Sequence, residues 1–257
     1  MNGEPGGLIS VVTAVHPSGA AHLDQAHSSL LAQEMPVGWA WEWLLQEDGG
    51  GDTVARSLPS DPRMRFAANG RQLGTATTRN LAAARASGRL VKVLDADDVL
   101  TPGALAREIT ILSDHPAIGW TTAAVIDLNS SGATIGWHDD PPEGELGKGT
   151  VFDYWLQHEH RAQIHPATLC IRSEALWASG GWMALPFSED TGLLMALSSL
   201  WAGYFIGTPG LLYRKWPSQT TASSSWEPVV GRQARHEAIV RRVRAIDGML
   251  RRSTPER

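Results

Sequence analysis

Apolar and polar positions follow two rhythms along the first half of the chain. "LISVVTAV" (8–15) is a short β-branched run behind a Gly-rich leader and predicts a buried strand. Residues 21–33 then place Leu23, Ala26, Leu30 and Leu31 at helical spacing. "WAWEWLLQ" (39–46) predicts a second strand running into the charged Gly-rich loop "EDGGGD", and "MRFAA" (64–68) predicts a short third one. The Ala-rich stretch "GTATTRNLAAARASG" (74–88) predicts a helix with Gly88 at its C-cap. "LVKVL" (90–94) predicts a fourth strand, followed by a helix that begins near Pro102, a favoured first-turn residue. Strand–helix alternation over 8–114 points to an α/β layer with a mostly parallel central sheet flanked by helices. Ligands of such sheets gather beyond the carboxyl ends of the strands, where Thr13, Asp48 and Asp95–Asp98 are predicted to lie.

Beyond residue 118 the rhythm changes. "IGWTTAAVIDLNSSGATIGWH" predicts two strands joined at "NSSG" as a hairpin, and "DDPPEGELGKG" (139–149) is a Pro/Gly-rich loop, a lid or a plain connection. A short helix near 150–157, a strand at 167–171, a helix at 188–202 and a strand at "LLYRKW" (211–216) follow. "SQTTASSS" reads as a linker to a helix at about 231–250, whose stripe of Ile239, Val243, Ile246 and Leu250 is surrounded by Arg. That helix packs on its own domain, or its basic face meets a membrane or partner. The chain divides at 1–114, 115–220 and 221–257, the last being linker and C-terminal helix.

Composition narrows the classes. At 257 residues the chain can bury a good core, and its net charge of −5 argues against a nucleic-acid partner. A single cysteine, Cys170, excludes an internal disulfide framework and cannot alone build a structural zinc site. No apolar stretch reaches the length of a membrane span and no signal-peptide pattern opens the chain, so the expected compartment is cytoplasmic. The 11 Trp against 4 Phe raise the choice between sugar-stacking platforms and core filler, and core filler is the commoner use. The Trp-rich surface and the terminal helix also permit a homodimer.

The chemistry concentrates in "RLVKVLDADDVLTPGAL" (89–105), where an apolar run ends in Asp95, Asp97 and Asp98. An extended chain points Asp95 and Asp97 the same way, and converging carboxylates call for a hard cation such as Mg²⁺ or Mn²⁺. Asp98 points elsewhere and can cap the helix near Pro102; all three could equally cap that helix in a solvated turn.

In order and spacing, "VVTAV", "HLDQAHSSLLAQ", "WEWLLQEDGG", "RFAANGRQLGTATTRNLAAARASG" and "VLDADD" resemble the family-2 glycosyltransferases with the GT-A fold, over residues 8–220. The resemblance implies a Rossmann-like nucleotide-diphospho-sugar fold, with a donor-binding half at 1–114 and an acceptor-binding half at 115–220. It implies that Thr13, Ala14 and Asp48 grip the nucleotide, that Arg79 contacts the uracil side, and that Asp95, Ala96 and Asp97 form the Asp-x-Asp element. Asp97 would be the metal ligand, for Mn²⁺ or Mg²⁺. In "FSEDTGLLMAL" (187–197) Asp190 matches the general base, with Glu189 supporting the site or the acceptor; both acids also suit a helix N-terminus. Trp182 in "ASGGWM" matches an aromatic wall of the acceptor pocket, and His165 could line the pocket opposite Asp190. The implied reaction is metal-dependent, inverting transfer from a UDP-sugar to a hydroxyl or amine of a saccharide or small-molecule acceptor. One departure stands out: in "LYRKWPSQTT" Trp216 holds the place of the family's usual His, leaving Arg214 and Lys215 to supply positive charge to the diphosphate. Other classes remain. A metal-dependent nucleotidyltransferase or phosphatase would need a basic Gly-rich loop or an Asp pair after the first strand, where "TAVHPSG" has neither; a non-catalytic nucleotide-sugar-binding module would not need Asp97 and Asp190.

Overall fold

The computed structural model describes residues 7–129, 131–132, 134–136, 140–215 and 229–253. In chain order the elements are β1 (Leu8–Val15), α1 (Leu23–Leu31), β2 (Ala40–Glu47), α2 (Asp52–Ala55), β3 (Met64–Ala68), α3 (Thr75–Ala83), β4 (Leu90–Val93) and β5 (Val99–Leu100). They continue with α4 (Ala104–Asp114), β6 (Ile118–Leu128), β7 (Thr134–Gly136), β8 (Gly144–Leu146), α5 (Thr150–Gln157), β9 (Cys170–Arg172), α6 (Ser173–Ala178), α7 (Glu189–Leu200), β10 (Ala202–Arg214) and α8 (Val229–Ser253).

The strands form one sheet in the order β3-β2-β1-β4-β9-β6-β10-β5, with β7 on β6 and β8 on β10. The block β3-β2-β1-β4 is parallel, as is the β6–β10 pair. β9 runs antiparallel between these two blocks, so the parallel order expected from strand–helix alternation is broken once at the centre and again at the short edge strands. Parallel strands need long crossovers, and the 8–100 region supplies them; β9 enters after a stretch without that alternation.

Side chains alternate between the faces of the sheet. Ile9, Val11, Trp43, Leu45 and Leu90 pack on one side with α1 and α4, while Val12, Leu44, Val91 and Val93 pack on the other with α3, α6 and α7. The tryptophans of β2 obey the same period: Trp43 is buried with its indole donating to Thr13 Oγ1 at 2.9 Å, and Trp41 lies under the Arg63 guanidinium. Core filling therefore accounts for Trp41, Trp43, Trp120 and Trp155. Beneath β4, a buried Lys92 pairs with Glu108 of α4 and donates to the Thr168 carbonyl at 2.7 Å, a polar pillar in an apolar layer.

Several expected boundaries move for identifiable reasons. α3 stops at Ala83 rather than running to Gly88, which donates its N–H to Ser10 Oγ at 2.8 Å. A Cβ on Gly88 would come within 2.7 Å of the Leu8 carbonyl, so this glycine serves a close approach to β1 and not a cap. α4 starts at Ala104 after Gly103 in the left-handed region, and Asp98 does not cap it. The strand expected at 211–216 begins at Ala202 and is much longer, held by its pairing with β6. On α8, Ile239 and Val243 are fully buried against α7, whereas Leu250, counted in the same stripe, is 43% exposed. The linker at 218–225 and Trp216 lie outside the described residues. No helix among the described residues is long and apolar enough to cross a membrane.

Candidate active site

Because β1, β2 and β4 are parallel, their carboxyl ends reach one rim of the sheet. At the end of β2, Asp48 Oδ1 accepts from the backbone N–H groups of Leu73 at 2.6 Å and Gly74 at 3.2 Å and from the Asn69 amide at 3.1 Å. Asp48 thereby anchors the loop that launches α3, and α3 carries Arg79 to the rim. Arg79 is 4% exposed, not the helix-surface charge that its position in an Ala-rich stretch allowed. Its guanidinium meets Asp95 Oδ1 at 2.6 Å, Asp190 Oδ1 at 2.6 Å and Glu189 Oε1 at 3.1 Å. One buried cation thus joins the end of β4 to the start of α7.

Asp95 and Asp97 line the same cavity, of about 390 Å³, together with Arg79, His165, Phe187, Glu189, Asp190 and Tyr213. The reason differs from the one expected. The chain is not extended here: β4 ends at Val93 and residues 95–98 form a turn closed by Asp98 N–H to the Asp95 carbonyl at 3.2 Å. Asp98 is buried behind that turn, accepting from the Arg214 N–H at 2.9 Å, with its Oδ2 unpartnered among the described residues. Burial and the neighbouring Asp95 and Asp97 push its carboxyl well above the usual range.

Charge in the cavity is unbalanced. Arg79 faces three carboxylates at contact distance, and Asp97 adds a fourth on the wall. Nearby cations are committed elsewhere. The Arg214 guanidinium, expected at the diphosphate, donates to the Asp97 carbonyl at 2.8 Å and to Gln25, bracing the turn from behind. Lys215 lies over the Tyr213 ring and 3.7 Å from Asp127. His165 is packed against Tyr213, and burial pulls its pKa down to about 4, so it is neutral. Burial raises Asp190 above the ordinary carboxylate value against the pull of Arg79, and burial with the adjacent Asp190 raises Glu189 to about 7.

Asp190 Oδ1 receives both Arg79 and the Trp182 indole N–H at 2.9 Å, which leaves Oδ2 for the cavity. Trp182 is therefore not an exposed wall: it is 3% exposed, lies outside the cavity lining and holds the carboxylate from behind. Thr13 is likewise buried, its hydroxyl donating to the Leu94 carbonyl at 2.7 Å and accepting from Trp43. It ties β1 to β4 and β2, while Ala14 beside it is partly exposed. Ala96 is buried within the acidic turn. The lining residues Thr75, Phe187 and Tyr213, and Asn80 behind them, were not foreseen. Tyr213 and Asn80 each adjoin a charged residue that was singled out, Arg214 and Arg79, which is the only signal either carries.

The donor set suits a divalent ion that brings ligands of its own. Asp95 and Asp97 offer hard oxygen atoms to one cavity, but among the described residues no group of three His, Cys, Asp or Glu side chains converges as a preformed site. Ions such as Mg²⁺ bind through one or two carboxylates with substrate phosphates completing the shell.

Residues 10–173 match the sequence family described as glycosyl transferase family 2. No curated protein matches the sequence. Among solved structures, S. aureus TarS 1-349 in complex with UDP-GlcNAc is similar, with a TM-score of 0.65 at 15% identity over 84% of this chain and 61% of that one. The complex of the same fragment with UDP gives 0.62 at 16% identity, over 81% and 61%. This chain thus spans about three-fifths of the length of those fragments, and the likeness establishes a shared GT-A fold.

Proposed function

The chain belongs to glycosyl transferase family 2, and from that premise we propose that it moves a sugar from a UDP-sugar to a hydroxyl or amine with inversion at the anomeric carbon. The observation that carries this reading is the single buried Arg79 holding Asp95 at the donor side and Asp190 at the acceptor side of one cavity. The UDP and UDP-GlcNAc complexes of similarly folded TarS support a nucleotide-sugar donor.

In the proposed reaction Asp190 Oδ2 takes the proton from the acceptor hydroxyl as its oxygen attacks the anomeric carbon. The bond from that carbon to the diphosphate breaks on the opposite face, and UDP leaves with the electron pair. Arg79 and Trp182, both on Oδ1, keep the other oxygen turned to the acceptor. Arg79 is assigned to the three carboxylates it meets and not to uracil, since its guanidinium is buried among acids. The excess of carboxylates is hostile to a bare diphosphate, which is the argument for metal dependence. Mn²⁺ or Mg²⁺ would supply charge neutralisation for the leaving group, held by Asp97. Asp48 and Ala14 remain proposed contacts to the nucleotide, Thr13 supporting them from the core.

Titration calorimetry with UDP, with and without Mn²⁺, tests the donor half. The expected result is affinity that rises with Mn²⁺ in the native protein and no such rise in Asp97→Ala. Equal Mn²⁺-dependent affinity in the variant would remove Asp97 as the ligand, and no UDP binding at all would remove the donor reading.

A further inference from the structure

We infer that Asn80 is a positioning residue for the base, fixing Asp190 through Trp182; the inference rests on Asp190 being that base. Asn80 is the neighbour of Arg79 on α3, so one short helix reaches the carboxylate by two routes. The first route is direct, from the Arg79 guanidinium to Oδ1. The second passes through the carboxamide of Asn80. Its Nδ2 donates to the Trp182 carbonyl and its Oδ1 accepts from the Trp182 N–H, both at 3.0 Å. This pair of bonds fixes the backbone of residue 182 on both sides, as a neighbouring strand would.

The chain is shaped to permit that clamp. Gly180 and Gly181 have φ of 75° and 64°, a left-handed pair that L side chains seldom adopt. A Cβ on Gly181 would stand 2.4 Å from Asn80 Oδ1, so a side chain there would displace the carboxamide. With its backbone held, Trp182 has its indole buried and its N–H aimed at Asp190 Oδ1 at 2.9 Å. Trp can donate from that atom but cannot accept, so Oδ1 must be an accepting oxygen and any proton on the carboxyl sits on Oδ2. The two donors fill the Oδ1 side, and the plane of the carboxylate is set so that Oδ2 meets the acceptor. Losing the clamp would free the indole and let the carboxylate rotate about Arg79 alone. Its proton affinity and its aim would change while the donor side of the cavity stays intact.

The test reads Trp182 directly. In a ¹H–¹⁵N spectrum its indole resonance is assigned by its loss in Trp182→Phe. In the native protein that resonance should move with pH as Asp190 titrates, and should stop doing so in Asp190→Asn. In Asn80→Ala the indole proton should exchange with solvent at least about tenfold faster, because local opening no longer breaks the clamp. Asn80→Asp, which keeps the acceptor for the Trp182 N–H, should fall between the two and serves if the alanine variant does not fold. UDP affinity should stay within about twofold in the Asn80 variants, since the Asn80 carboxamide bonds to the Trp182 backbone and not to Asp95 or Asp97. A native Trp182 resonance indifferent to Asp190, or unchanged indole exchange in the Asn80 variants, would overturn the inference. Failure of the native protein to bind UDP would instead strike the donor reading, and the indole resonance would still decide whether the clamp holds the carboxylate.

Discussion

At the scale of single residues, the site depends on how two adjacent acids share one guanidinium. Asp190→Asn keeps the shape but removes the proton acceptor. UDP binding should persist while transfer falls about 10²- to 10⁴-fold, the usual share of a positioned general base, measured as UDP release with acceptor or with water. Activity of the native protein should rise with pH along a limb near 7, since the Glu189–Asp190 pair titrates together and Glu189 sits at about 7. Glu189→Gln removes one negative charge and leaves more of Arg79 to Asp190, so the limb should move to lower pH in kcat/KM profiles. A limb that stays in place would assign it to another group. The sign for stability is opposite to that of an ordinary ion pair. Glu189 is raised from 4.5 to about 7, so its favourable contribution is complete below 4.5 and is lost as pH rises through 7. Asp95 and Asp97 stood out by residue type and spacing, whereas Asp190 was singled out only through the family resemblance, and the structure places all three on one cavity. Trp182 was singled out but not as a donor behind Asp190, because no pattern tells whether an indole faces a cavity or the core.

At the scale of elements, the rim works because strands and helices deliver these side chains from behind. β4 leads into the turn that carries Asp95, and the Lys92–Glu108 pair under it is fully buried. Replacing Lys92 by Met strands Glu108, whose carboxyl burial already raises, and should destabilise the fold by about 3–5 kcal/mol. Adding Glu108→Leu should recover most of that loss in urea unfolding; no recovery would show that Lys92 acts through Thr168 alone. The strands at 8–15 and 90–94 were readable within a residue or two, since burial on both faces leaves continuous apolar runs, and the edge strand at 64–68 and the one-sided helix at 150–157 were readable from their local pattern. The two-residue β5, the three-residue β8 and the first half of β10 were not, because their pairing partners lie far along the chain. Gly88 shows the same limit: a glycine after a helix suggests a cap, and only the approach of β1 shows its use.

At the scale of the whole molecule, α8 closes the face that carries α7. Ile239 and Val243 are fully buried in the cluster that also holds Leu193, Leu197 and Trp155, so α8 is part of the core. Ile239→Ala should cost about 2–5 kcal/mol with UDP affinity unchanged, checked by thermal unfolding and calorimetry on the same preparation. A variant of native stability would mean that the helix is dispensable to the fold. Its outer face carries Arg232, Arg241 and Arg244 in solvent, as expected of a helix packed on its own domain.

By itself the sequence determined the α/β class, the family and the acids at the strand ends, because hydrophobic period and residue order are local properties that survive in one dimension. The tertiary structure alone decided which charges meet. Arg79 contacts Glu189 and Asp190 more than a hundred residues away, and the inserted antiparallel β9 belongs to the architecture that brings the two halves together. Only that convergence turns Arg214 into a brace, Trp182 into a hydrogen-bond donor and Asp98 into a buried acid, since burial and partner distance, not residue type, set the state of an ionisable group.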